Sequence, residues 1–129
     1  LYQISVQHSR PPAQRTPARM EPVFDLIKRK FADPDLDPAR MARALGIGKV
    51  YCRQLFRQHC GKSPMRYLRT VRLEHAGLLL QTTDLAVKEI AGQCGFSDLN
   101  FFHRVFKRAT GDSPGDFRKK TRERADRQY

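Results

Sequence analysis

The fold of this chain is limited most strongly by an internal repeat of about fifty residues. Residues 41–48, MARALGIG, align with residues 90–97, IAGQCGFS, at an offset of 49. Residues 55–64, LFRQHCGKSP, align with residues 105–114, VFKRATGDSP, at an offset of 50, because the second copy has one extra residue near the start of its second helix. The chain is therefore predicted to contain one small structural module twice.

Each copy is predicted to be helical. Apolar residues recur at intervals of three and four, and the sustained period of two that is typical of strands is absent. Asp37-Pro38 is a helix N-cap followed by proline at the first helical position, and Gly46 ends that short helix. Gly95 holds the same place in the second copy. The chain must reverse there within about three residues, and glycine adopts the left-handed conformation that costs a branched residue about 1 kcal/mol or more.

This order of elements is typical of a helix-turn-helix unit, whose second helix enters the major groove of DNA. We call that second helix the reading helix. The charge of the chain supports this interpretation, because 25 Lys and Arg against 13 Asp and Glu leave a formal net charge of +12, which attracts polyanions. Residues 41–70 hold seven of the bases and no acid. The basic segment thus coincides with the first helix-turn-helix unit, which favours DNA binding more strongly than either feature alone.

The paired units, the long helix between them and the string VKEIAGQCGFSDLNFFHRVFKRATGDSPGDFRK resemble the DNA-binding domain of the AraC/XylS family of bacterial transcription regulators. The resemblance covers about residues 22–120. It implies an all-α fold of seven helices, in which two helix-turn-helix subdomains are joined by a long linker helix and read adjacent major grooves. It also implies a separate N-terminal sensor or dimerisation domain before residue 1, in agreement with Leu rather than Met at the first position.

We accordingly divide the chain into a flexible, basic, proline-rich linker (residues 1–21), an AraC-type DNA-binding domain (22–120) and a charged C-terminal tail (121–129). Within the domain, the first helix-turn-helix unit is placed at about 37–60, the linker helix at about 64–81 and the second unit at about 86–110. The sequence departs from the family pattern at two helix starts. Ala86 and Gly48 stand where a capping Ser or Thr is common, which weakens each start by about 0.5 to 1 kcal/mol.

The outward residues of the reading helices are the candidates for contact with DNA. Arginine can pair with guanine and Gln or Asn with adenine through two hydrogen bonds each. Val50 and Leu99, which the repeat places at equivalent positions, are explained equally well by chance and by contact with thymine methyl groups. The resemblance matches base-contacting positions to Val50, Arg53, Gln54, Leu99, Asn100, His103 and Arg104. The predicted phosphate contacts are Lys49, Arg57, Lys62, Lys107 and Arg108.

Metal binding and catalysis have little support in the sequence. A site built from His59 and Cys60, or from Cys94 and His103, is disfavoured because the thiols fall on apolar faces and no four ligands have zinc spacing. The sequence contains no Ser, His and Asp arrangement, no phosphate-binding glycine loop and no paired carboxylates on one face. We therefore predict a protein that is not an enzyme and that has no cofactor.

Three classes of function remain open for a basic helical chain of this kind. The favoured one is the DNA-binding part of a transcription regulator, whose partners are a double-stranded operator and, for an activator, RNA polymerase. A DNA-binding module fused to a DNA-repair methyltransferase is disfavoured because no cysteine lies outside the helical units. A sequence-neutral nucleoid or RNA-binding protein is disfavoured by the base-edge residues on both reading helices.

The sequence also predicts where the protein acts. No apolar run approaches the ~20 residues of a membrane span, and the start of the chain lacks the pattern of a signal peptide. We therefore expect a cytoplasmic, nucleoid-associated protein without a membrane partner.

Overall fold

The computed structural model describes residues 20–127, and all regular structure in that range is helical. The helices are α1 (Glu21–Lys30), α2 (Pro38–Leu45), α3 (Lys49–Cys60), α4 (Pro64–Thr82), α5 (Val87–Gln93), α6 (Leu99–Thr110) and α7 (Pro114–Arg127). The predicted all-α fold of seven helices, with a long helix between two helix-turn-helix pairs, is confirmed for the described residues.

The helix bounds add detail at the two ends of the predicted domain. The predicted linker, residues 1–21, lies outside the described residues except for its last two. Of these, Met20 is fully buried in the core cluster of the first unit, and Glu21 begins α1. The predicted charged tail is part of α7 as far as Arg127, so the charges at this end are carried on a helix.

The described chain divides into two compact units, and the division falls inside α4, between Val71 and Arg72. We call residues 20–71 the N-terminal unit and residues 72–127 the C-terminal unit. Leu68 and Val71, in the first half of α4, are buried in the core of the N-terminal unit. Part of the predicted linker helix is therefore built into the core of a unit.

The N-terminal unit is held together by a core in which α1, α2, α3 and the start of α4 meet. Val23 and Ile27 of α1 lie in the same buried cluster as Met41 of α2. The fully buried ring of Phe56 packs with Phe24 and Tyr67 at centroid distances of 6.0 and 5.7 Å. Aromatic pairs at these distances stabilise a core beyond the area they bury.

The C-terminal unit is built around a row of four phenylalanine rings. The ring centroids of Phe96 and Phe102 are 4.9 Å apart, those of Phe102 and Phe106 are 5.5 Å apart, and those of Phe106 and Phe117 are 5.1 Å apart. Phe102 and Phe106 both belong to α6 and are both fully buried. Because these rings occupy one side of α6, the other side of the helix is turned to solvent.

The two turns have the same backbone geometry, as the repeat predicts. Gly46 has a φ of +68° and Gly95 a φ of +90°, so both occupy the left-handed region expected for these glycines. In the first turn, the Ile47 N–H donates to the Ala42 carbonyl at 3.1 Å, and the equivalent bond, from Phe96 to Ala91, measures 2.9 Å. This bond closes a helix end in the Schellman arrangement, which directs the chain into the reading helix.

The four helix starts of the repeat are capped unequally. The Asp37 carboxylate accepts from the Arg40 N–H at the start of α2, and the Asp98 carboxylate accepts from the Phe101 N–H at the start of α6. Gly48 before α3 and Ala86 before α5 provide no side-chain acceptor. Each copy therefore has one capped and one uncapped helix, in opposite order.

Replacing Ala86 by serine is expected to raise the free energy of unfolding by about 0.5 to 2 kcal/mol. The new hydroxyl can accept from the backbone N–H of Glu89, whose carboxylate can reach back to the N–H of residue 86 in a capping box. Urea unfolding followed by circular dichroism measures the change. The control is Gly48→Ser, which should gain only a few tenths of a kcal/mol, less than the sequence-based expectation of about 0.5 to 1 kcal/mol, because glycine is itself a good N-cap. Equal midpoints for the two variants would contradict the prediction.

Candidate nucleic-acid interface

Helix α3 has one buried face and one exposed face. Cys52, Leu55 and Phe56 are buried, because they point into the core of the N-terminal unit. The predicted DNA-contacting residues of this helix all lie on the exposed face, namely Lys49, Val50, Arg53, Gln54 and Arg57. Val50 is 74% exposed, so its methyl groups are available to a partner.

Helix α6 has the same arrangement in the C-terminal unit. Phe102, Val105 and Phe106 are buried. The residues predicted to contact DNA are all exposed, namely Leu99, Asn100, His103, Arg104, Lys107 and Arg108. Each unit therefore presents one helix whose polar face carries basic groups and amide or guanidinium donors. We call these two exposed faces the reading faces.

Lys62 differs from the other predicted phosphate contacts. It lies after α3, in the connection to α4, and is half-buried. Its Nζ donates to Thr70 Oγ1 at 3.3 Å, so the ammonium group is held beside α4. Lys62 is therefore a neighbour of the α3 reading face and not part of it.

The structure corrects the expected equivalence of Val50 and Leu99. The reading helices begin at Lys49 and Leu99, so these two residues correspond, and Val50 corresponds to Asn100. The reason is the position of the extra residue, which lies in the connection between Gly95 and Asp98, before α6 begins. The two reading faces therefore start differently, with a lysine on α3 and a leucine on α6.

Arg104 has a partner that the sequence reasoning did not identify. Its guanidinium carbon lies 5.7 Å from the centroid of the Phe101 ring, one helical turn earlier. A cation above an aromatic ring at this distance is attracted to it, which restricts the orientation of the guanidinium group. The spacing of three residues along a helix was the available signal, because residues so placed are neighbours on a helix surface.

Tyr51 is a second residue that the sequence reasoning assigned to neither face. Its side chain is 41% exposed in the first turn of α3, directly after Val50. Single exposed aromatic residues give no periodic signal, so the apolar spacing of α3 did not reveal it.

A cavity of about 460 Å³ lies in the N-terminal unit beside the α3 reading face. It is lined by Asp37, Pro38, Ala39, Lys49, Val50, Arg53, Ser63, Pro64 and Met65. Because three of these residues also belong to the reading face, the cavity is a concave part of the same surface.

The cysteines have the character of core thiols. Burial raises the pKa of Cys94 to about 11 and raises the pKa of Cys52 above its ordinary value. Both are thiols at neutral pH, whereas metal binding requires the thiolate. Across residues 20–127, no three His, Cys, Asp or Glu side chains are grouped to hold a metal ion. In the same part of the chain, no helix combines the length and the apolar character needed to cross a membrane.

Comparison with known sequences identifies the matching family. The model of a family described as a helix-turn-helix domain matches residues 41–120. One relative, the HTH-type transcriptional regulator YijO of Escherichia coli, is 38% identical over 107 residues, which are 83% of this chain and 38% of that protein. The chain thus spans well under half the length of this relative.

Solved structures share the fold. A probable AraC family transcriptional regulator from Rhodopseudomonas palustris matches with a TM-score of 0.71 and 27% identity, over 81% of this chain and 98% of that one. The DNA-binding domain of AdpA, a global transcriptional factor solved with a target DNA, matches with a TM-score of 0.73 and 28% identity, over 80% of this chain and 95% of that one.

Proposed function

Because the chain belongs to the AraC-type helix-turn-helix family of DNA-binding domains, we propose that both of its reading faces recognise a double-stranded operator as the DNA-binding part of a bacterial transcription regulator. The observation that carries this proposal is the pair of exposed faces on α3 and α6. Each face lies opposite a buried apolar face of the same helix. Each combines positively charged side chains with side chains that can form two hydrogen bonds to one DNA base.

The proposed base contacts follow from the chemistry of the exposed side chains. Arg53 and Arg104 can donate two hydrogen bonds to guanine O6 and N7, while Gln54 and Asn100 can pair with adenine N6 and N7. His103 can donate or accept one hydrogen bond. The exposed methyl groups of Val50 suit contact with a thymine methyl group, and the exposed side chain of Leu99 offers a similar apolar contact from the start of α6.

Phosphate contacts are proposed for the lysines and arginines at the edges of the reading faces or directly beside them. These are Lys49, Arg57, Lys62, Lys107 and Arg108. Such contacts set the position of the protein on the duplex without selecting its sequence.

The rest of the protein's role is proposed from the family. We propose an additional N-terminal sensor or dimerisation domain, which the greater length of YijO supports. RNA polymerase is the proposed further partner if the protein activates transcription. We place the protein in the cytoplasm, associated with the nucleoid, and assign no catalytic step to the described residues.

The test begins with selection of preferred sites from a library of randomised 30-base-pair duplexes. Binding to the enriched duplex and to a scrambled duplex is then measured by fluorescence anisotropy at matched salt. Arg104→Ala is expected to bind the enriched duplex about 5- to 150-fold more weakly, corresponding to about 1 to 3 kcal/mol, and to lose preference at one base pair. Lys107→Ala is expected to weaken binding to both duplexes alike and to lower the slope of log affinity against log salt by about 0.9.

Arg104→Lys is the matched control, because it keeps the positive charge and removes the planar fork of donors. It should lose specificity as Arg104→Ala does while retaining more affinity for the scrambled duplex. A proportional loss on both duplexes for Arg104→Ala would remove Arg104 from the base-reading residues. If the unaltered protein enriched no sequence, the proposed function itself would be wrong.

A further inference from the structure

The two copies of the repeat carry very different charge. Residues 41–70 contain seven Lys and Arg and no Asp or Glu, a net charge of +7. The equivalent residues 90–120 contain six Lys and Arg and three Asp, a net charge of +3. Both segments include a reading helix and the connection that follows it. A duplex in contact with both units therefore meets two surfaces of unequal positive charge.

The charge difference is seen at two pairs of equivalent positions, one in the connection after each reading helix and one in the helix that follows it. Lys62 in the N-terminal unit corresponds to Asp112 in the C-terminal unit, and Thr70 corresponds to Lys120. Lys62 donates to the hydroxyl of Thr70, an uncharged group that does not offset the charge of the lysine. Asp112 instead forms an ion pair with Lys120 at 2.7 Å, and this carboxylate raises the pKa of Lys120. Asp112 thus offsets the charge of a lysine that could otherwise attract phosphate.

The first residues of the two reading helices also differ in charge, in the same direction. Helix α3 begins with Lys49 after an uncharged N-cap, Gly48. Helix α6 begins with Leu99 after Asp98, whose carboxylate accepts from the Phe101 N–H at 3.1 Å. The positive end of the α6 dipole is therefore partly neutralised by a side chain of the protein, while α3 has an additional positive charge there.

The C-terminal unit has a feature suited to reading bases. Its reading face carries Arg104, and the ring of Phe101 restricts the guanidinium group of this residue. A donor whose orientation is restricted before binding loses less conformational entropy when it pairs with a base. Because this unit carries less positive charge and its Arg104 guanidinium group is restricted, its affinity for DNA depends more on the fit to particular DNA bases.

We propose that the two units divide the work of DNA binding. The N-terminal unit anchors the protein on the phosphate backbone of any duplex, and the C-terminal unit provides most of the discrimination between sequences. This inference rests on the proposed DNA-binding function and adds which unit supplies affinity and which supplies specificity. Lys49 and Lys62 are the anchoring residues that the C-terminal unit lacks.

The size of the effect follows from counterion release. Each phosphate contact changes the slope of log affinity against log salt by about 0.9, so two contacts contribute about 1.8. Between 50 and 200 mM salt, a slope difference of that size changes affinity by about tenfold.

The experiment exchanges the differing residues between the units. Lys49→Leu with Lys62→Asp gives the N-terminal unit the residues of its counterpart. Leu99→Lys with Asp112→Lys makes the reverse exchange. Both proteins are titrated with the enriched and the scrambled duplex, using the full chain, from 50 to 200 mM salt.

The first exchange is expected to lower the salt slope by about 1.8 and to weaken binding to both duplexes by the same factor. The second is expected to raise the slope by about 1.8 and to strengthen scrambled-duplex binding most, so that the ratio of the two affinities falls. Lys28→Gln with Arg29→Gln, two exposed bases on α1, is the control and should leave the slope unchanged. If the first exchange fails to fold by circular dichroism, Lys49→Gln with Lys62→Gln measures the same slope.

An unchanged slope in a folded Lys49 and Lys62 variant would overturn the anchoring role. A fall in affinity for the enriched duplex alone would also overturn it, because Lys49 and Lys62 would then contribute to sequence recognition and not to general phosphate binding. Neither result would remove the proposed function, which fails only if the unaltered protein shows no preference for the enriched duplex.

Discussion

Replacing Phe106 by alanine is expected to lower the free energy of unfolding of the C-terminal unit by about 3 to 5 kcal/mol. The ring is fully buried between Phe102 and Phe117, with centroid distances of 5.5 and 5.1 Å. Its removal leaves a cavity that the surrounding helices can fill only in part, and it forfeits two aromatic contacts. A single core of a unit this small rarely supplies more than about 3 to 5 kcal/mol, so this loss removes most of the stability of the unit.

The consequence for function is large, because Phe106 and Arg104 lie on opposite faces of the same helix. When α6 loses its packing, its reading face is no longer held in place, and specific DNA binding is expected to fail with the fold. Urea unfolding followed by circular dichroism gives the stability. His103→Ala is the matched control on α6, since His103 is exposed and its loss should change stability by no more than about 0.5 kcal/mol. A loss below about 1 kcal/mol for Phe106→Ala would show that the ring is not essential to this core.

Replacing Arg118 by methionine is expected to lower the free energy of unfolding by about 2 to 4 kcal/mol. Arg118 Nε donates to the Leu80 carbonyl at 3.1 Å, and its Nη2 donates to the carbonyls of Thr83 and Leu85 at 3.2 and 2.6 Å. These carbonyls lie at the end of α4 and in the connection to α5. The last carbonyls of a helix have no partner within it, and the guanidinium of Arg118 supplies one, while the Thr83 carbonyl also accepts from Arg122 Nη2.

Methionine preserves much of the apolar stem of Arg118 and removes all three hydrogen bonds. Arg118→Lys should lose an intermediate amount, because an ammonium group is a point donor that cannot reproduce the planar fork. Asp84→Asn is the control in the same region. Asp84 pairs with Arg122 at 2.7 Å, which lowers the pKa of Asp84, but its side chain is 92% exposed, so a much smaller effect is expected. Equal stabilities for the methionine and asparagine variants would contradict the role of Arg118.

Several local features of the fold could be predicted from the sequence because they depend on neighbouring residues. The apolar spacing of α3 and α6 placed Phe56, Phe106 and their neighbours on one face, and the structure buries them. Gly46 and Gly95 were expected in the left-handed region, and both have positive φ. The outward set on each reading helix followed from the same periodicity, because an α-helix fixes which side chains share a face.

Contacts between distant parts of the chain could not be predicted in this way. Arg118 meets carbonyls 33 to 38 residues earlier, and no local pattern marks an arginine for that role. The pairing of Lys62 with Thr70 likewise depends on how the connection after α3 folds back on α4. The correspondence of Lys49 with Leu99 could be assigned only once the first residue of α6 was known. The alignment of the two sequence copies left that position uncertain by one residue.

The sequence by itself determined that this chain forms helices in a repeated order, turns at defined glycines and presents two basic reading faces. These properties arise from periodicity, backbone preference and charge, which act over a few residues. Only the tertiary structure decided that α4 is divided between two units and that an arginine of α7 closes the end of α4. These outcomes depend on which surfaces meet in space, and the energy of such contacts is set by distances and burial that exist only after the chain has folded.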